Sequence, residues 1–106
     1  MNRLPRTVTL TANGARGEVA AMLAGAERRL CLTLGALAEM ETGLGVAGMA
    51  ALAERLRALS AGDLTVVLAA LLRGGGEHEL AGALATAPID PRAAAEAVAR
   101  AFEATA

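Results

Sequence analysis

The spacing of hydrophobic residues changes near Thr33. Before that residue, apolar side chains occupy every second position, first at Val19, Ala21 and Leu23 and then at Leu30 and Leu32. Such alternation is typical of strands with one buried face. A glycine-containing segment between the two runs favours a turn. The pattern therefore predicts a β-hairpin over residues 17–33.

After Thr33 the apolar residues recur every three to four positions, which is the spacing of amphipathic helices. We predict helices over about residues 34–42, 47–59, 63–72, 79–86 and 91–104. The expected fold class is α+β, mostly α, with an N-terminal β-hairpin followed by four to five short helices. Residues 15–106 would form one small domain, since the whole chain has 106 residues.

The first 14 residues contain Pro5 and end in Asn13-Gly14, a combination that predicts an irregular arm closed by a turn. Val8 and Leu10 alternate with threonines. A short edge strand is therefore an alternative within this arm.

Three capping signals and two glycine stops support the helix predictions. Thr33 and Asp90-Pro91 suit helix starts, and Ser60 and Asp63 have the spacing of a capping box. Gly43 would end the first helix. The run Gly74–Gly76 would end the third, and we expect it to act as a hinge.

The composition predicts a thin hydrophobic core. The chain has 28 alanines and 12 glycines but one phenylalanine, and alanine buries far less apolar area than leucine. The helix over residues 63–72 is the most hydrophobic element, and alanine-rich neighbours would leave part of its apolar face uncovered. We therefore hypothesise a partner-binding leucine face formed by Leu64, Val67, Leu68, Leu71 and Leu72. A helix over residues 91–104, anchored by Phe102 alone, would act as its lid.

Charge and hydropathy argue against nucleic-acid and membrane partners. The formal net charge is −1, so no strong field attracts phosphates. The helices over residues 47–59 and 63–72 could be read as a helix-turn-helix, but the second offers Thr65 as its sole uncharged hydrogen-bonding side chain. Charge-free stretches are also far shorter than the roughly 20 residues of a membrane-spanning helix. With no signal-peptide pattern, we expect a cytoplasmic protein.

A glycine motif invites a cofactor-binding interpretation. Residues 43–48 match G-x-G-x-x-G, and Asp63 lies 20 positions after Gly43, near the spacing of a ribose-binding acid. A dinucleotide fingerprint must follow a strand, however, whereas this one follows a predicted helix. We expect no cofactor.

The remaining reactive residues do not form a predicted catalytic or metal site. Cys31 and His78 are the sole cysteine and histidine, too few for a zinc site. His78 lies between two glutamates, yet neighbours in sequence do not build a site. Glu39 and Glu41 point about 200° apart on a helix and cannot converge. We therefore predict no metal, no catalytic residues and no enzymatic activity.

Two segments carry a resemblance to a known family. Arg16-Gly17-Glu18-Val19 opens the hairpin, and Leu30-Cys31-Leu32-Thr33-Leu34-Gly35-Ala36-Leu37-Ala38-Glu39-Met40-Glu41 leads into the first helix. Together they resemble the gene transfer agent family of small phage-derived tail proteins, with Met40 in place of a usual leucine. The resemblance covers roughly residues 15–104. It departs from the family's L-x-L-x-G hairpin pattern at residues 21–26.

The resemblance implies a tail assembly chaperone that binds the tape-measure protein, with the major tail protein as another partner. Some members are described as tail tube proteins, so a structural tail component associated with the virion is the alternative. Homo-oligomerisation stays open, because the thin core would gain from a second copy. A small helical regulatory or DNA-binding domain is the alternative from another functional class.

Overall fold

The computed structural model describes residues 17–105, which form a two-stranded sheet followed by five helices. The strands are β1 (Glu18–Leu23) and β2 (Ala26–Cys31); the helices are α1 (Leu34–Leu44), α2 (Met49–Leu56), α3 (Ala61–Gly74), α4 (His78–Gly82) and α5 (Pro91–Glu103). The predicted fold class is confirmed. The arm predicted for residues 1–14, with its alternative edge strand at Val8 and Leu10, lies outside the described residues.

The hairpin is antiparallel and has a two-residue loop. Val19 pairs with Leu30, and Leu23 pairs with Ala26. Between them Ala24 and Gly25 have φ values of 54° and 80°. Two positive φ values in succession fit a type I′ turn, whose twist matches that of the strands. The alternation predicted the buried face correctly.

Each predicted capping residue accepts the expected hydrogen bond. The Thr33 hydroxyl accepts from the Ala36 N–H at 3.0 Å, and an Asp90 carboxylate oxygen accepts from the Arg92 N–H at 3.2 Å. At the start of α3, Ser60 Oγ accepts from the Asp63 N–H at 3.0 Å, while Asp63 accepts from the Ser60 N–H at 3.3 Å. These caps confirm three helix starts from local sequence alone.

Helix lengths differ from the prediction at several ends. α1 continues past Gly43 to Leu44 and is closed by Gly45, whose φ of 70° is left-handed. α3 is longer than predicted because its capping box starts it at Ala61 and its last turn includes Gly74. α4 ends at Gly82 and α2 at Leu56, both earlier than periodicity suggested.

α3 is the centre of the domain. It contacts α1, α4, α5 and β2, and six consecutive residues, Val67 to Leu72, are buried. The hairpin contributes Leu23 and Leu30 to the same core, and α1 contributes Met40. A helix that is buried on most of its circumference needs little polar surface, which explains its composition.

The glycines after α3 form a packed corner, contrary to the expected hinge. A Cβ at Gly74 would overlap the Cys31 carbonyl oxygen, and one at Gly75 would overlap the Arg29 carbonyl oxygen. Both carbonyls belong to β2 positions whose backbone groups face away from β1. The Arg29 N–H on the same edge donates to Glu77 Oε2 at 3.0 Å. The end of α3 therefore covers the outer edge of β2.

α5 also differs from the weakly anchored lid that the sequence suggested. It contacts β1, β2 and α3, and its inner face is formed by small residues that are almost fully buried: Ala94, Ala97, Val98 and Ala101. Phe102, the expected anchor, is half-buried. Alanine permits close approach of the helix to the hairpin, so α5 is part of the core.

Candidate partner-binding site

The predicted leucine face lies mostly inside the domain. Val67, Leu71 and Leu72 are inaccessible to solvent, and Leu68 is 3% exposed. Leu64, one turn from the start of α3, is half-buried. The alanine-rich neighbours therefore cover this face more completely than expected, since small side chains bring their backbones closer. A partner-binding role for the five residues stays a prediction.

The accessible part of the leucine face opens into a surface groove. Leu64 and Leu68 line it together with Leu84, Ile89 and Ala94, which come from the segment after α4 and the start of α5. The chain between α4 and α5 thus forms the opposite wall. Only the two leucines nearest the start of α3 contribute to this groove.

A second apolar groove runs between α2 and α5, and the sequence did not indicate it. Ala53, Leu56 and Leu59 form one wall, while Ala95, Val98, Ala99 and Phe102 form the other. We call this the α2–α5 groove. Its walls lie about 40 residues apart in the chain. Each helix alone showed an ordinary apolar stripe, and a stripe does not reveal whether its partner helix stands close or leaves a gap.

An ion pair fixes the end of α2 near this groove. Arg55 donates from Nε to Asp63 Oδ2 at 2.8 Å and from Nη2 to Asp63 Oδ1 at 2.9 Å. Its Nη1 donates to the Leu44 carbonyl at 2.9 Å, which satisfies a carbonyl at the end of α1. The hydrogen bonds from Arg55 lower the pKa of Asp63 from 3.8 to about 2, and bonds from Ser60 contribute in the same direction. Arg55 therefore joins α1, α2 and α3.

The G-x-G-x-x-G match is accounted for by packing and helix ends. A Cβ at Gly43 would lie 2.6 Å from Val66 Cγ1 of α3, so glycine permits the contact between the two helices. Gly45 closes α1, and Gly48 precedes α2. Glu41 Oε2 accepts from the Gly48 N–H at 2.8 Å. Asp63, the candidate ribose ligand, is bound to Arg55 instead.

The reactive residues considered in the sequence lie in separate places. Cys31 is buried at the end of β2. His78 is exposed at the first position of α4. Glu39 forms an ion pair with Arg73, while Glu41 binds the backbone before α2. Within residues 17–105 no group of His, Cys, Asp and Glu side chains is arranged to hold a metal ion.

The described helices were also tested for membrane-spanning character. Among residues 17–105 no helix has both the length and the apolar character needed to cross a membrane.

Comparison with known proteins gives one family. Neither curated proteins nor solved structures provide a match. Residues 16–105 match the family model described as "Phage tail tube protein, GTA-gp10". The match includes the hairpin, all five described helices and both grooves. The chain therefore belongs to the phage tail tube protein, GTA-gp10 family, a family of gene transfer agent and phage tail proteins.

Proposed function

We propose that the protein is a non-enzymatic tail assembly chaperone that acts in the cytoplasm and binds the tape-measure protein before the tail tube closes around it. The observation that carries the proposal is the small sheet. Within residues 17–105 there are two strands, and the outer edge of β2 is covered by the end of α3. A tube subunit needs an extended sheet to close rings, so this fold suits a binding role better.

Two surface grooves support a binding role. Both are lined mainly by apolar side chains, and one of them lies between two helices. Apolar grooves between helices accept amphipathic helices in known recognition modes. The tape-measure protein implied by the family resemblance is a long helical chain, and the major tail protein is a second expected partner.

A structural role in the tail is the second candidate. The family description names a tail tube protein. In the described part of the chain, no strand pairs with the outer edge of β1. A strand of a neighbouring tail subunit could add there by antiparallel pairing.

Co-expression with the tape-measure protein encoded beside the gene separates these candidates. A chaperone would be recovered bound to the free tape-measure protein and would be missing from purified particles when these are analysed by quantitative mass spectrometry. A structural component would be present in particles in a fixed number of copies. A salt-dependent mobility shift of DNA would instead favour the regulatory alternative.

The non-enzymatic assignment has a simple test. The double variant Cys31→Ala and His78→Gln removes both side chains with nucleophilic or acid-base chemistry near neutral pH. We expect the folded variant to capture the tape-measure protein as the wild type does. A folded variant that has lost capture would contradict the assignment.

A further inference from the structure

We propose that the α2–α5 groove is the client site and that it binds one amphipathic helix of about two to three turns. The inference rests on the proposed chaperone function and names the surface and the chemistry of the segment that it captures.

The α5 wall has the geometry of a helix-packing surface. Its lining residues Ala95, Val98, Ala99 and Phe102 follow the spacing i, i+3, i+4 and i+7, so they form one continuous stripe. From Ala95 to Phe102 the stripe rises about 10 Å, or two turns. Ala95 and Ala99 are exposed while Val98 is buried, which leaves a shallow channel rather than a ridge. Small residues allow a third helix to approach closely.

The α2 wall supplies the larger apolar side chains. Leu56 and Leu59 are half-buried and line the groove. Met49 lies one turn before Ala53 on the same side of α2 and is 61% exposed. It extends the apolar surface beyond the groove itself. Methionine adapts its shape to different partners, which suits a site that must accept several segments of a long client.

Charges on the two outer flanks specify the occupant further. Arg57 is exposed and lies four positions after Ala53. On α5, Glu96 and Glu103 are exposed and lie three positions before and four positions after Ala99. Arg92, one turn before Glu96, is the basic residue on that flank. One rim is therefore basic and the other is net acidic, and a complementary helix carries acidic residues on one flank and basic residues on the other.

Synthetic peptides test this chemistry with the full-length protein. Three 18-residue peptides would share one apolar stripe of leucine and alanine and differ only in their flanks: acidic on one side and basic on the other, acidic on both, or basic on both. Isothermal titration should give the tightest binding for the mixed peptide. Each uniform peptide places like charges against one rim, whichever direction it runs.

Variants locate the binding surface. Ala53→Glu places a charge in the groove, whereas Ala51→Glu makes the same change on an exposed position of α2 that points away from it. We expect Ala53→Glu to weaken binding of the mixed peptide at least about tenfold, since a charge would be buried against an apolar stripe. Ala51→Glu should bind like the wild type. The pair Glu96→Lys and Glu103→Lys should shift the preference to the doubly acidic peptide.

Four outcomes would overturn the proposal. Equal binding by the Ala53→Glu and Ala51→Glu variants would place the site elsewhere, and equal binding of all three peptides would remove the charge argument. A wild-type dimer that Ala53→Glu dissociates would identify a second copy as the occupant. Peptide binding that appears only after residues 1–14 are deleted would identify the chain's own arm.

Capture of the tape-measure protein distinguishes this inference from the proposed function. If wild type and Ala53→Glu capture the client equally, the chaperone function stands and the groove assignment is wrong. If the mixed peptide binds in the groove but the tape-measure protein is never captured, the groove is a helix-binding site and the proposed function is wrong.

Discussion

The guanidinium group of Arg55 and the carboxylate of Asp63 face each other in a bidentate pair, with hydrogen bonds of 2.8 and 2.9 Å. Asp63 also caps the backbone of Ser60, and Arg55 also binds the Leu44 carbonyl. The Asp63 side chain is 13% exposed. This pair therefore fixes the relative positions of three helix ends.

The pair predicts a loss of stability in acid. The pKa of Asp63 is lowered from 3.8 to about 2 in the folded protein, so the unfolded state takes up a proton first. The contribution of the pair is complete above about pH 4 and is lost as the pH falls toward 2. Urea unfolding of wild type and Asp63→Asn should show a clear stability gap at pH 6 that narrows at pH 2. A gap that is the same at both values would contradict the assigned pKa.

The glycine corner predicts strong position dependence among similar substitutions. Gly75→Ala would force a Cβ into the Arg29 carbonyl, and Gly74→Ala would do the same at Cys31. We expect each to cost about 1–3 kcal/mol or more in the free energy of unfolding. Gly82→Ala is the control, because nothing lies within 4 Å of its Cβ and alanine favours the helix by up to about 1 kcal/mol. Equal stabilities of the three variants would show that the corner tolerates movement.

The glycine motif before α2 predicts a packing effect that a second substitution reverses. Gly43→Ala should destabilise the wild type by about 1–3 kcal/mol, because its Cβ would meet Val66 at 2.6 Å. In a Val66→Ala background the same change should be neutral or favourable, since the clash is gone and alanine is the better helix former. A double-mutant cycle from denaturant unfolding measures this coupling. Additive effects would contradict the contact.

The buried face of α5 predicts that the C-terminal helix is required for folding. Deletion of residues 91–106 would expose the apolar surface of the hairpin and α3 that Ala97 and Ala101 now cover. We expect the truncated chain to lose cooperative unfolding and to bind a hydrophobic dye. Val98→Ala is a milder comparison and should leave the fold intact at a cost of about 1–2 kcal/mol. A truncated chain that keeps the cooperative transition would restore the lid hypothesis.

Local signals explain how much of the fold the sequence predicted. Thr33, Ser60 with Asp63, and Asp90 with Pro91 act within four residues of themselves, so their pattern alone identifies three helix starts. Glycine is different, because the same residue suits a hinge or a close contact. At Gly74–Gly76 the deciding carbonyls belong to a strand more than 40 residues earlier.

The candidate site was less predictable for the same physical reason. Periodicity indicated which face of α3 is apolar, but whether Leu71 is covered depends on how closely the hairpin and α5 approach. The α2–α5 groove depends on the placement of two elements that share no sequence signal. A surface made by a gap between elements is absent from any single stretch of sequence.

The covered edge of β2 limits how this protein can associate with itself. A sheet with two open edges can add copies without end, which is the route to fibrous aggregates. Here Gly74, Gly75 and Glu77 occupy one edge, so within residues 17–105 the edge of β1 is the one place where a strand could join. Two copies that met along β1 would use up both available edges. Any association through the sheet would therefore stop at a pair.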